Sequence, residues 1–131
     1  MRFPSPSGRA AVEIWQERFD NSMGSSVELV IPEKRVVLDS LDRETAFYFV
    51  HVYWSPDEMK VGILATGSNG VRVAANVKTG KPLAFGEIQK EFDQSLRKTY
   101  HVPEWEDDPV TWANNSHMFF RLHPEIKLTY R

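Results

Sequence analysis

The sequence predicts an α+β domain over residues 1–131, a twisted, mainly antiparallel β-meander with one amphipathic helix at about 86–100 packed on the sheet. Three observations lead to it. A Ser-Pro turn phrase that launches a strand occurs twice, at Ser5-Pro6-Ser7-Gly8 and at Ser55-Pro56-Asp57-Glu58. Between and after these turns lie runs of β-branched and aromatic residues, the types that suit a pleated, half-buried surface. From Phe85 onward the apolar period changes from two to three and four, at Phe85, Ile88, Phe92 and Leu96.

Arg9–Phe19 is ambiguous, because Ala11, Trp15 and Phe19 have helical spacing while Ala10, Val12 and Ile14 alternate as in a strand. Context favours a strand. The turn formers Asp20 to Ser26 follow, and then Val27–Ile31 reads as a second strand of a hairpin. Pro32 ends it, Arg35–Leu38 is a short further strand, and Asp39–Glu44 is a charged turn. Ala46–Trp54 is apolar on both faces, which predicts a central strand. After the second Ser-Pro turn come Met59–Thr66, a tight Asn69-Gly70 turn, and Val71–Val77 with one wet face; Thr79-Gly80-Lys81 turns the chain again. Gly86–Tyr100 is the helix, with Glu87 and Glu91 early and Arg97 and Lys98 late, matching its dipole. Pro103 and Pro109 prevent its continuation, leaving a loop and two edge strands, His117–Leu122 and Ile126–Tyr130.

Composition narrows the function classes. A chain of 131 residues can bury a core without staples, and 41% hydrophobic with 26% charged residues is ordinary for a folded domain. Net charge is -2 with no basic stripe, which removes the electrostatic basis for nucleic-acid binding and for anionic membrane surfaces. With no cysteine, disulfides, thiolate metal sites and a cysteine nucleophile are excluded. The N-terminus lacks the apolar run of a signal peptide, so a cytoplasmic location is expected.

Residues 53–81, from Tyr53-Trp54-Ser55-Pro56-Asp57 through Val61–Leu64 and Val71–Val77 to Thr79-Gly80-Lys81, resemble one blade of a TolB-type β-propeller. Ser5–Val12 is a fainter echo. Glu58-Met59 stands where Gly is usual in that pattern. The resemblance implies a blade-like meander and carries no chemistry. At 131 residues the chain holds at most two of the four or more blades that close a propeller.

No nucleophile elbow, phosphate loop or dinucleotide fingerprint occurs, and the four histidines lack ligand spacing, so no catalytic residue, metal or cofactor is assigned. His51, between Val50 and Val52, reads as a hydrogen-bonded core or sheet-face residue. The one local concentration of chemistry is the acidic loop 104–112, where Trp105, Glu106, Asp107, Asp108 and Trp112 form the candidate binding site. Indoles beside carboxylates suit a protein partner. Buried Trp anchors pinning a solvated loop to the core read identically in sequence. The expected function is therefore a small, soluble, non-enzymatic interaction module that binds a protein partner through this loop. One form of it is an immunity or antitoxin-type protein presenting carboxylates to a basic target. A carbohydrate-binding or hydrolytic domain using the same acids and indoles is the alternative.

Overall fold

The computed structural model of the chain describes residues 1–19, 22–41, 47–67, 70–114 and 129–130. The class is α+β, and the predicted meander is divided into two stacked antiparallel sheets. The first runs in sequence order through β1 (Arg2–Pro4), β2 (Ala11–Phe19), β3 (Ser22–Ile31) and β4 (Lys34–Leu41). The second does the same through β5 (Phe47–Trp54), β6 (Lys60–Gly67), β7 (Val71–Asn76) and β8 (Pro82–Leu83). A single 3-10 turn at Phe85–Glu87 leads into α1 (Gln89–Tyr100), and α2 (Pro109–Ala113) follows. A two-residue strand, β9 (Thr129–Tyr130), pairs in parallel with Trp15 and Gln16 of β2, beyond the end of β1.

The ambiguous Arg9–Phe19 segment forms a strand from Ala11 onward, as its context predicts. The turn formers Ser22–Ser26 belong to β3 and not to the expected loop, since pairing with β2 continues to Phe19↔Ser22. The sequence predicts a central strand at Ala46–Trp54; among the described residues the strand formed there, β5, pairs with β6 alone, and β6 is an interior strand buried on both faces from Val61 to Thr66. Phe49 of β5 lies under α1, so a helix accounts for apolarity on one of its faces. A bulge between Phe47 and Phe49 places Phe47 in the inter-sheet core and Phe49 under α1. His117–Leu122 and the start of the last predicted strand lie outside the described residues.

Two cores result. Val12, Ile14, Leu29 and Ile31 of the first sheet face Val61, Ile63, Ala65 and Ala75 of the second. On the second sheet's other face, Phe49, Leu64 and Ala74 pack against Ile88, Phe92 and Leu96 of the helical segment and Val110 of α2. The helix approaches so closely that a Cβ on Gly62 would lie 2.4 Å from Ile88 Cδ1 and 2.8 Å from Phe92 Cδ2.

The two Ser-Pro phrases form equivalent turns, one in each sheet. In both, the serine hydroxyl accepts a bond from the amide five residues on, at 3.2 Å for Ala10 and 2.9 Å for Lys60. In both, the serine amide donates to that same residue's carbonyl, at 2.8 and 2.9 Å. Gly8 (φ 77) and Glu58 (φ 57) occupy the same left-handed position. Glu58 crosses to the other turn, its Oε1 accepting from the Ser7 amide at 3.1 Å and hydroxyl at 2.8 Å.

Candidate functional site

The acidic loop begins where α1 ends. His101 takes a left-handed conformation (φ 54), its amide donating to the Arg97 carbonyl, and Val102 donates to the same oxygen at 3.0 Å. Arg97 then holds the loop by its backbone. Its guanidinium donates to the carbonyls of Pro103, of Glu106 at 2.7 Å and of Asp107 at 3.2 Å. The backbone is thus tied on both sides of Trp105, whose side chain is 80% exposed. Planar guanidinium donors suit such a clamp because several N–H groups point in fixed directions.

The sequence-predicted site divides into two parts. Trp105 and the loop residues Glu106 and Asp107 remain at the surface, together with Glu104, and none of these three carboxylates makes a hydrogen bond or ion pair among the described residues. Asp108 and Trp112 belong to the scaffold. Asp108 caps α2, accepting from the Val110 amide at 3.0 Å and the Thr111 hydroxyl at 2.9 Å, with Pro109 in the first helical turn. Pro109, read in sequence as a breaker, starts a helix. Trp112 is half-buried against the helical core, so the two indoles do not flank the acids as a pair. Its Nε1 is buried without a hydrogen-bond partner among the described residues.

Asp108 also joins α2 to the rest of the molecule. Gln89 Nε2 donates to it at 3.1 Å, and Gln89 Oε1 accepts from Arg72 Nη2 at 3.0 Å. Arg72 lies 4.6 Å above the Phe85 ring. Asp93 of α1 shares a hydrogen bond with Asp108, and burial followed by repulsion from Asp108 pushes its carboxyl up to about 6. Burial pushes Asp108 upward too, but its bonds from Thr111, Val110 and Asp93 outweigh this and hold it below the usual range. Nothing in the spacing of Asp93 and Asp108 signals this pair, because α1 and α2 are brought together only by packing.

One further group, on the first sheet, was not legible in the sequence. Glu13 and Glu28 are direct cross-strand partners, both buried. Burial pushes Glu13 up, yet bonds from Arg35 at 2.5 Å and Arg2 at 3.2 Å prevail and lower it. Arg35 also lies 3.9 Å from Glu28, whose Oε2 accepts from Ser26 at 3.0 Å. The arrangement neutralises buried carboxylates. His51 is the core histidine expected, 7% exposed, 3.3 Å from the Ser95 hydroxyl and surrounded by Phe49, Phe92 and Tyr100. Compared with protein-family models, curated proteins and solved structures, the chain matches none, and the chemistry of the loop rests on its own geometry.

Proposed function

We propose that this protein is a non-enzymatic interaction module that captures a basic protein partner through the loop 104–112, with Trp105 as the anchor. The observation that carries the reading is an 80% exposed indole on a backbone clamped by Arg97. Exposed tryptophan is costly to leave in water and is enriched among residues that dominate binding energy. A loop already ordered loses less entropy on association. The unengaged carboxylates of Glu104, Glu106 and Asp107 favour a cationic rim on the partner and faster encounter. An immunity-type role against a basic target is one form of this reading.

A photo-crosslinker at Glu104 identifies the partner, and calorimetry with the purified pair then measures the contribution of each residue. Trp105→Ala is expected to weaken binding by about 2 kcal/mol, roughly thirtyfold. Arg97→Gln is expected to weaken it too, by releasing the loop. Equal affinity of a folded Trp105→Ala variant would defeat the proposal, and specific crosslinking to a glycan would favour the carbohydrate-binding alternative. Two four-stranded meanders, each with its Ser-Pro turn after the first strand, support reading the scaffold as a pair of blade-like repeats.

A further inference from the structure

Gln89, Asp93 and Arg97 are spaced four residues apart along α1 and so form a stripe on one face of it. All three address the segment that returns over the helix, from Pro103 to Asp108. Gln89 Nε2 donates to Asp108 Oδ2 at 3.1 Å, and Asp93 shares a hydrogen bond with the same carboxyl group. Arg97 donates to the carbonyls of Pro103, Glu106 and Asp107. The first and last of these connections need no titrating proton. The middle one does, because two ionised carboxylates only accept hydrogen bonds and cannot bond to each other.

That proton belongs on Asp93. Asp108 already accepts from the Val110 amide at 3.0 Å, the Thr111 hydroxyl at 2.9 Å and Gln89, and three donors favour its charged form. Asp93 is half-buried, and its Oδ1 is buried without a hydrogen-bond partner among the described residues. The charged groups acting on it are Asp108 at the cap of α2, Arg97 on its own helix and Arg72 on β7. Both cations are committed elsewhere, Arg72 to Gln89 Oε1 at 3.0 Å and to the face of Phe85, and Arg97 to the loop carbonyls. Asp93 nevertheless precedes Arg97 by four residues, the order in which an acid and a base pair favourably on a helix.

We propose that the proton on Asp93 is the switch that decides whether Arg97 clamps the acidic loop. With the proton in place, Asp93 donates to Asp108 and leaves Arg97 to the carbonyls of Pro103, Glu106 and Asp107. Without it, the two carboxylates repel, Asp93 draws the Arg97 guanidinium off the carbonyls, and the loop and α2 loosen together. Asp93 is raised from 3.8 to about 6, so the clamped state is fully favoured below about 4 and loses that support as pH rises through 6. Stronger capture in mild acid is a consequence that rests on the reading of Trp105 as an anchor; the switch itself does not rest on it.

The test is amide hydrogen exchange, read by nuclear magnetic resonance on the free full chain at about pH 5 and about pH 7.5 and corrected for intrinsic exchange rates. The Glu106 amide, which donates to the Pro103 carbonyl at 3.1 Å, reports the loop, and the Trp112 amide, which donates to the Asp108 carbonyl at 2.9 Å, reports α2. The opening constants of both are expected to rise about tenfold between the two pH values, while that of Leu64 in β6 does not. Asp93→Asn is neutral at every pH and keeps an N–H group for Asp108, so it is expected to stay protected and to remove the rise. Glu87→Gln, at an exposed position in the turn before α1, is expected to keep it. Arg97→Gln should leave the Glu106 amide open at both values. Flat opening constants in the parent chain overturn the proposal. So does a rise that persists in folded Asp93→Asn, a rise at Glu106 that persists in Arg97→Gln, or an equal rise at Leu64. The measurement needs no partner, so its outcome is separate from that of Trp105→Ala.

Discussion

At the scale of single residues, two titrating groups oppose one another, His51 buried and Asp93 half-buried. Burial lowers His51 from 6.5 to about 4, so between those values the unfolded chain binds more protons. Its contribution to stability is complete above pH 6.5 and is lost as pH falls to about 4. By the linkage relation the whole effect is ~3 kcal/mol. Asp93, raised from 3.8 to about 6, works the other way: the folded chain holds the proton, and the contribution present below about 4 is lost as pH rises through 6. His51→Phe, which keeps an aromatic ring among Phe49, Phe92 and Tyr100, should therefore make stability rise less steeply than in the parent protein from pH 4 to 6. Asp93→Asn should make it rise more steeply over the same range. Urea titrations at several pH values measure both slopes, and parallel curves for the two variants would contradict these assignments.

At the scale of elements, the contact between α1 and the second sheet depends on the missing side chain at Gly62. Adding a methyl group there drives it into Ile88 and Phe92, and Gly62→Ala should cost about 1–3 kcal/mol through displaced packing. At Gly86, in the 3-10 turn before the same helix, an added methyl group would meet nothing within 4 Å. Gly86→Ala should be neutral or stabilise by up to about 1 kcal/mol, because it restricts the unfolded chain without a clash. The denaturation midpoints of the two variants should move apart. α2 shows how a signal can be present and misassigned: Asp108 followed by Pro109 is an N-cap with proline in the first turn, but the same proline also ends an extended segment.

At the scale of the whole molecule, the two sheets share one core, and neither inner face is covered without the other. Val12, Ile14, Leu29 and Ile31 would be open to water in a fragment of residues 1–41. Such a fragment should be unfolded by circular dichroism, and the full chain should unfold in one transition by tryptophan fluorescence and far-ultraviolet dichroism. Separate transitions for the two probes would show that the halves are independent. The Glu58–Ser7 bonds, spanning fifty-one residues, join the two meanders at the turn end of this shared core.

Features whose causes lie within a few residues are written in the chain itself. The two Ser-Pro turns are equivalent because serine, proline and the left-handed fourth residue act locally, and the helix over Gln89–Tyr100 follows from its own periodicity and end charges. Trp105 and the acids around it are legible as a concentration of chemistry. Packing between distant segments is what splits the meander into two sheets. It also separates exposed Trp105 from half-buried Trp112 and brings Asp93 against Asp108. Pairing, burial and shifted proton affinity are set by neighbours far away along the chain, and a local pattern cannot specify which distant segment will occupy the space beside it.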